Sequence, residues 1–327
     1  MNRSSVPPPV TQVLDAAAAW LPRRMAAVEG RLGELVAEGG ERLSAEAAAT
    51  LEAGGKRLRP MLVLVCAGRD AGDEAIRAAT AVELVHMATL VHDDVLDAAP
   101  LRRGRPTVVA RAGRSAATAV GDLLFSRAFA ELSVPGDGTG RQVGLLAGAS
   151  VGLAQGELAQ RRDAFDVSVT AERYLDRCRL KTARLFECAC LIGADPGREA
   201  AEALAVYGRE IGLAFQLLDD VLDVTGPPER TGKALGTDLL DGTVTMPLIL
   251  ARESDRSLAD LDLRALDAAG AEAACARIAA TGVLETVRAD ARARVERAKQ
   301  ALADAALESQ RLELLTMVAD GVVERYA

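Results

Sequence analysis

The chain has 327 residues, of which 50% are hydrophobic and 3% aromatic, and its formal net charge is -8. A chain of this size can bury a large core, and its acidity excludes broad binding to nucleic acid or to an anionic membrane surface. No stretch reaches the roughly 18 apolar residues of a membrane span, and the opening "MNRSSVPPPV" lacks the apolar segment of a signal peptide.

The cysteines lack zinc-ligand spacing with a histidine, so we interpret them as buried, reduced thiols of a cytoplasmic protein: Cys66, Cys178, Cys188, Cys190 and Cys275.

Apolar residues recur at helical spacing along nearly the whole chain, and alternating strand patterns are almost absent. About a dozen helices are expected, several of them longer than 20 residues, with no linker between them. The sequence therefore predicts one all-α domain over residues 1–327. The tail from Glu285 is predicted to be a surface helix with paired charges, with a coiled coil as the alternative. The predicted breaks lie at 7–9, near Gly54, after Asp97, at 134–140 and at 225–238.

The pentapeptide "DDVLD" occurs twice, at 93–97 and 219–223, each time after an apolar run and before a basic loop. In a helix the first and last aspartates of this motif share a face, and the second lies about 100° away. One copy is equally well explained as a solvated acidic helix end. Two copies beside basic residues favour Mg²⁺, which binds carboxylates and substrate phosphates. The predicted metal ligands are Asp93, Asp97, Asp219 and Asp223, with Asp94 and Asp220 in support.

Basic residues stand beside both motifs, where guanidinium and ammonium groups can bind phosphate oxygens. The segment "GGKRLRP" also begins a helix after two glycines, a position that favours anions. His86 lies two turns before Asp93 and is predicted to be a donor in the same site, whereas His92 is expected to be structural. The basic candidates are Lys56, Arg57, Arg59, Arg102, Arg103, Arg105 and Lys233.

Eight stretches, in order, resemble the trans-type isoprenyl diphosphate synthases (polyprenyl synthetases) and span nearly the whole chain: "GGKRLRP", "VELVHMATLVHDDVLD", "LRRGRPT", "GDLLFSRAF", "LKTARLF", "FQLLDDVLDVTG", "GKALGTDL" and "MPLI". The resemblance implies antiparallel helices around a deep central cavity, the isoprenoid synthase class I fold. It also implies a homodimer, with transient membrane contact for product release. The two aspartate motifs are then expected to face each other and to hold three Mg²⁺ ions per active site.

The resemblance further implies that isopentenyl diphosphate condenses with an allylic diphosphate. Diphosphate leaves, the isopentenyl double bond attacks the allylic cation, and a proton is lost to the departing diphosphate. The resemblance assigns Lys56, Arg59, His86 and Arg103 to isopentenyl diphosphate, and Arg102, Lys181, Thr182, Gln216 and Lys233 to the allylic diphosphate. The residues implied in catalysis are Asp93, Asp94, Asp97, Arg102, Lys181, Asp219 and Asp220. Thr243 stands where many relatives have lysine, so fewer diphosphate contacts are expected.

Product length is expected to depend on the helix before Asp93. In the resembled family, bulky aromatic residues four or five positions before the first aspartate stop chain growth. This chain has small residues there, and its predicted chain-length residues are Ala88, Thr89, Val85 and Ala81. A long-chain polyprenyl diphosphate is therefore the predicted product, and farnesyl or geranylgeranyl diphosphate is the alternative. A class I terpene cyclase and a non-catalytic partner subunit are disfavoured, because "GGKRLRP" and both aspartate motifs are present.

Overall fold

The computed structural model describes residues 8–38, 40–102, 104–135, 138–194, 200–226, 235–305 and 307–324. The first half comprises α1 (Pro8–Ala16), α2 (Leu21–Ala37), α3 (Glu41–Glu52), α4 (Leu58–Ala67), α5 (Asp73–Leu96), α6 (Val108–Ala112), α7 (Arg114–Leu132), α8 (Thr139–Asp163) and α9 (Ala171–Cys178). A π-helical turn, Arg179–Ala183, precedes α10 (Arg184–Gly193), α11 (Ala200–Thr225), α12 (Thr237–Leu240), α13 (Met246–Ser254), α14 (Arg256–Ala259), a 3₁₀ turn (Leu263–Ala265), α15 (Ala268–Ala280), α16 (Val283–Ala303) and α17 (Ser309–Glu324).

The described residues confirm the all-α prediction, with one departure after the first aspartate motif. There, β1 (Leu101–Arg102) and β2 (Arg105–Pro106) form a short antiparallel hairpin in which Arg102 lies opposite Arg105. The helices outnumber the expected dozen because α6, α12 and α14 are only 4 or 5 residues long. Segments of that length carry too few apolar residues to show a helical period.

Helices α5, α10 and α11 carry the centre of the core. α5 packs against α7, α4 and α2, and α11 packs against α10 and α16. Buried side chains occur on every side of α5, as expected of a helix enclosed by neighbours. The buried apolar cluster extends from Val10 in α1 to Val322 in α17. Both aspartate motifs therefore stand near the C-terminal ends of central, rigidly packed helices.

Glycines bring two helices unusually close to the π turn. A Cβ at Gly156 of α8 would lie 2.5 Å from the backbone nitrogen of Lys181, and one at Gly212 of α11 would lie 2.6 Å from Cα of Ala183. Cβ atoms do not approach other atoms that closely, so any larger residue would push the π turn away. These two contacts fix the turn between α8 and α11.

The predicted surface helix at the C-terminal end is confirmed as α16. Its outer face carries Glu296 with Lys299 (2.7 Å), whereas Arg294 is buried between Asp290 and Glu210 of α11, each at 3.3 Å. Its inner face buries Val287, among other apolar residues, against α11.

All five cysteines are buried as free thiols. Among the described helices, none combines the length and apolarity needed to cross a membrane.

Candidate active site

The first aspartate motif ends α5 and is bound by the chain's own cations. The Nε atom of Arg102, in the hairpin, donates to Asp94 at 2.8 Å. Arg161 of α8 forms an ion pair with Asp97, the residue that caps α5. The negative end of a helix dipole points at this motif, so clustered carboxylates there are unfavourable without a positive charge beside them. These arginines supply part of that charge.

Asp93 is the half-buried member of the first motif. Burial raises the pKa of its carboxyl to about 6, nearby Lys181 opposes this increase, and the charges of Glu157 and Asp97 reinforce it. A carboxyl whose pKa lies that far above its ordinary value is a group with too little positive charge around it. Its position and charge therefore fit a cation ligand.

The second motif lies on α11, and its central carboxyl, Asp220, is held by neutral side-chain donors. Asp220 is fully buried, and it accepts hydrogen bonds from the hydroxyl of Tyr174 and from Nε2 of Gln216 at 2.7 Å. Burial raises the pKa of Asp220 well above its ordinary value, and the charge of Asp238 adds to the increase. Asp223 accepts the backbone N–H of Asp238 at 3.2 Å, whereas Asp219 is exposed.

The π turn connects the two motifs. Lys181 forms an ion pair with Glu157 and lies close enough to Asp93 to act on its charge. The neighbouring residue, Thr182, donates to Oε1 of Gln216 at 2.7 Å, and this amide in turn binds Asp220. Consecutive residues of one turn thus reach different motifs, an arrangement consistent with the frequent occurrence of π turns at functional sites.

A cavity of about 190 Å³ lies between the end of α3, α5 and the hairpin. We call it the hairpin cavity. Predicted site residues His86, Asp94 and Arg102 line it, together with Leu90 and Arg105. Lys56 is half-buried in the loop before α4, and Arg59 lies in the first turn of α4 with its guanidinium 4.4 Å from the ring centroid of Phe186. Arg103 and Lys233, both predicted to bind phosphate, lie outside the described residues.

Arg57 lines the hairpin cavity, but it contributes less free positive charge than its place in the sequence predicts. Its guanidinium is buried and donates to Glu29 at 2.6 Å and to Glu83 at 2.7 Å. Its backbone adopts the left-handed conformation, with φ of 49°, directly before α4 begins. Two carboxylates already neutralise this arginine, so it ties α2, α4 and α5 together and offers little net charge to a phosphate.

The predicted chain-length residues separate onto two faces of α5. Ala81, Val85 and Ala88 have no exposed surface, and they share a face with His92. That face packs on α7, where the imidazole lies against Gly121 and stacks on Phe125 with centroids 5.8 Å apart. Thr89 lies instead on the face of Asp93; it is half-buried, and its hydroxyl donates to the carbonyl of His86 at 2.8 Å.

Four residues beside the motifs were not predicted: Arg161, Tyr174 and Asp238 contact them, and Glu157 pairs with Lys181 and acts on the charge of Asp93. Glu157 and Arg161 are spaced four apart, which is a visible helix-pair signal, but nothing in the sequence connects them to Asp97. Asp238 lies in "GKALGTDL", a stretch that already resembled the family, so its place beside the second motif could have been predicted. Thr243, in place of the usual lysine, donates its backbone N–H to the carbonyl of Asp238 at 2.7 Å.

Within the described ranges, no three acidic, histidine or cysteine side chains converge as a metal cluster. Each motif nevertheless supplies carboxylate oxygens, which suit a hard cation that takes one or two of them and completes its coordination with water and phosphate. The donors are all carboxylate oxygens, and burial raises the pKa of both Asp93 and Asp220. The residues present therefore fit divalent metal.

A comparison with known proteins gives the family. The model of the polyprenyl synthetase family matches residues 41–277. The chain is 39% identical to heptaprenyl diphosphate synthase component 2 of Geobacillus stearothermophilus, over 82% of this chain and 83% of that protein. It is 36% identical to geranylgeranyl diphosphate synthase of Methanosarcina mazei, over 84% and 87%. The crystal structure of polyprenyl synthase from Caulobacter crescentus, complexed with calcium and isoprenyl diphosphate, superimposes with a TM-score of 0.87 at 34% identity, covering 97% of this chain and 98% of that one.

These matches define a prenyltransferase with the all-helical isoprenoid synthase fold, which confirms the fold class and the enzyme class predicted from the sequence. The chain belongs to the polyprenyl synthetase family.

Proposed function

We propose that this prenyltransferase condenses isopentenyl diphosphate head-to-tail with an allylic diphosphate and releases a long-chain polyprenyl diphosphate. One observation carries the proposal: the π turn presents Lys181 toward the first aspartate motif and Thr182 toward the second. A diphosphate between the motifs would meet both side chains, with carboxylates on either side to hold cations. The family's relatives named above support the same reaction class.

The ions we propose are three Mg²⁺ per active site, held by Asp93, Asp97, Asp219 and Asp223, with Asp94 and Asp220 supporting these ligands. The calcium in the Caulobacter crescentus complex supports a divalent ion. When bound, Mg²⁺ neutralises the diphosphate and makes it a good leaving group. The protein side chains orient that diphosphate and keep its charge compensated: Arg102, Lys181, Thr182, Gln216 and Lys233.

For isopentenyl diphosphate we propose Lys56, Arg59, His86 and Arg103. This substrate keeps its diphosphate throughout the reaction, so its cations need only hold it in place. Replacing Arg59 with methionine should therefore raise the KM for isopentenyl diphosphate, with kcat and the allylic KM nearly unchanged. A change confined to the allylic substrate would contradict this division between the two substrates.

The direct test of the proposed function uses the purified chain alone, with Mg²⁺, farnesyl diphosphate and radiolabelled isopentenyl diphosphate. Incorporation of label into longer polyprenyl diphosphates is the expected result. Cyclised hydrocarbon without incorporation would indicate a terpene cyclase. The Geobacillus stearothermophilus relative is named as a component of its enzyme, so label incorporated only after a second protein is added would contradict independent activity. Because both aspartate motifs are intact, we expect turnover without a partner.

Product length is proposed to exceed that of geranylgeranyl diphosphate, because the positions before Asp93 are small. Ala88 and Val85 lie where α7 packs on α5, and Thr89 lies on the side of Asp93 itself. Ala88→Phe adds a ring between these helices and should shorten the product by several isoprene units, as judged by chromatography. The match to a geranylgeranyl diphosphate synthase keeps a short product as the alternative. A wild-type product that stops at that length would exclude the long-chain proposal.

A second copy of the chain is the proposed partner, and α8 supplies a suitable surface. Gly144, Gly148, Val151 and Leu158 form an exposed, uncharged stripe along this helix, with Val151 58% and Leu158 69% exposed. Glycines at such spacing let two helices approach closely, and apolar residues make burial favourable. Val151→Glu should yield monomers in analytical ultracentrifugation, and a variant that remains dimeric would contradict this surface.

We also propose one domain over residues 1–327, a cytoplasmic location, and transient membrane contact during product release.

A further inference from the structure

The guanidinium of Arg59 is enclosed by an aromatic ring instead of by carboxylates. Its Cζ lies 4.4 Å from the ring centroid of Phe186, a residue of α10 with no exposed surface. Its Nε atom is buried and has no hydrogen-bond partner within the described residues. Burial lowers the pKa of Arg59 to about 10, although the charge of Glu83 opposes this decrease. Arg59 is half-buried, and a cation whose inner nitrogen lacks a partner favours the arrival of an anion.

The neighbouring arginine shows why this arrangement is specific. Arg57, two positions earlier, engages Glu83 and Glu29 directly, at 2.7 and 2.6 Å. Its ion pairs occupy the nearby carboxylates, and its left-handed backbone directs the chain into α4. Arg59, in the first turn of α4, thus lies near Glu83, a carboxylate that already has Arg57 as a close partner. The face of Phe186 is in close contact with its guanidinium.

The ring beneath Arg59 constrains how that guanidinium can be used. A cation over an aromatic face is attracted by the negative charge of the ring's π system, and stacking leaves the N–H edge of the guanidinium directed away from the ring. Phe186 is itself supported by Phe215, with centroids 5.6 Å apart. Phe215 directly precedes Gln216, which binds Asp220 of the second motif. The aromatic pair therefore connects Arg59 with the helix that carries that motif.

We propose that Phe186 is a positioning residue for isopentenyl diphosphate: its ring holds the Arg59 guanidinium flat, so that the N–H edge meets the substrate's diphosphate. This inference rests on the proposed function, in which Arg59 binds that substrate. The ring's negative face, and not merely its volume, is what the proposal requires. An aliphatic side chain of similar size would fill the core and leave the guanidinium free to rotate.

The test compares Phe186→Leu with the enzyme carrying pentafluorophenylalanine at position 186. The fluorinated ring keeps the shape of phenylalanine and loses its negative face, so it separates cation attraction from packing. Both changes should raise the KM for isopentenyl diphosphate about tenfold, since a desolvated cation–π contact is worth that much or more. The KM for farnesyl diphosphate and kcat should change less than twofold. The fluorinated enzyme decides the question if Phe186→Leu does not fold.

Two controls distinguish positioning from general damage. Leu185→Ala removes a fully buried core side chain on the same helix and should leave the KM for isopentenyl diphosphate unchanged. In an Arg59→Met background, either change at Phe186 should alter that KM less than twofold, because the guanidinium through which the ring acts is gone.

The possible failures are distinguishable. If Arg59→Met raises the KM while fluorination of Phe186 does not, the positioning role is wrong and the proposed function stands. If the wild-type chain does not incorporate isopentenyl diphosphate, or if Arg59→Met leaves its KM unchanged, the substrate assignment fails and the positioning role fails with it.

Discussion

The two copies of "DDVLD" occupy similar places near the ends of central helices, yet their charges are compensated differently. In the first motif, cationic side chains bind the carboxylates: Arg102 binds Asp94 and Arg161 binds Asp97. In the second, the buried carboxyl of Asp220 receives neutral donors, the hydroxyl of Tyr174 and the amide of Gln216. Among the described contacts, Asp94 and Asp97 thus lie in an ionic environment, whereas Asp220 lies in a hydrogen-bonded one.

This difference predicts different behaviour when an ion binds. Cations on the first motif compete with any metal for the same oxygens, so they must move or be shared. The neutral donors to Asp220 can remain in place, because they orient its carboxyl without cancelling its charge. The first motif should therefore respond to changes of charge, and the second to loss of hydrogen bonds.

The largest expected effect is a loss of kcat when either motif loses a proposed metal ligand, because both motifs should hold metal. Asp93→Asn and Asp219→Asn each remove a proposed metal ligand, and each should lower kcat by at least about a thousandfold in saturating Mg²⁺, because ligand loss removes several kcal/mol of charge stabilisation. Steady-state incorporation of isopentenyl diphosphate measures this. Asp70→Asn is the control, since its side chain is 94% exposed and far along the chain from both motifs. Near-normal turnover in either motif variant would refute that ligand assignment.

The second effect is specific to the hydrogen-bonded motif. Tyr174→Phe removes a donor from buried Asp220 and should lower the free energy of unfolding by about 1–3 kcal/mol, with a roughly tenfold decrease in kcat. Tyr207→Phe is a close control, because this equally buried tyrosine donates to the backbone carbonyl of Leu315 at 2.7 Å, away from the motifs. Urea unfolding and turnover measure both variants. Equal losses of kcat in the two would show that the Tyr174 contact with Asp220 has no functional role.

The sequence predicted the motifs but not these environments, for a physical reason. The i, i+4 relation of Asp93 and Asp97 follows from helix geometry alone. Arg161, by contrast, reaches Asp97 from 64 positions away, and only the packing of α8 brings it there. The fold shows the same division. Long amphipathic helices were predicted, whereas the π turn depends on close approach at Gly156 and Gly212. Such tertiary contacts leave no periodic signal in the chain.

Arg57 shows how tertiary contacts can reverse a local interpretation. In "GGKRLRP" it looks like one of several phosphate-binding cations. Its left-handed backbone, rare for a residue with a side chain, is held by ion pairs to Glu29 and Glu83 on two other helices. Neither partner is near it in sequence. The difference between Arg57 and Arg59 therefore required the structure.

The third prediction concerns pH and the charge of the first motif. The pKa of Asp93 is raised to about 6 in the fold from an ordinary 3.8. The folded state therefore binds this proton more tightly than the unfolded chain, and this carboxyl costs stability as pH rises from about 4 to about 6. Asp93→Asn removes that cost. In chelator, the variant should exceed wild type in unfolding free energy by about 3 kcal/mol at pH 8 and by about 1.5 kcal/mol at pH 5.

Urea unfolding at the two pH values measures this difference. Asp70→Asn provides the control for loss of a negative charge at an exposed position. A gap between wild type and Asp93→Asn that widens toward low pH would have the wrong sign and would contradict the raised pKa.

The smallest effect tests whether a cation truly competes with metal at the first motif. Arg161 contacts Glu157 at 2.8 Å and also pairs with Asp97, while remaining 39% exposed. An ion pair that exposed contributes less than about 1 kcal/mol. Arg161→Gln should therefore reduce the Mg²⁺ concentration for half-maximal turnover only twofold to threefold. Arg162→Gln, at a neighbouring position that pairs with Asp163, should leave it unchanged. A higher Mg²⁺ requirement in Arg161→Gln would show that this arginine assists the bound state, and the ionic contrast between the two motifs would then not describe competition.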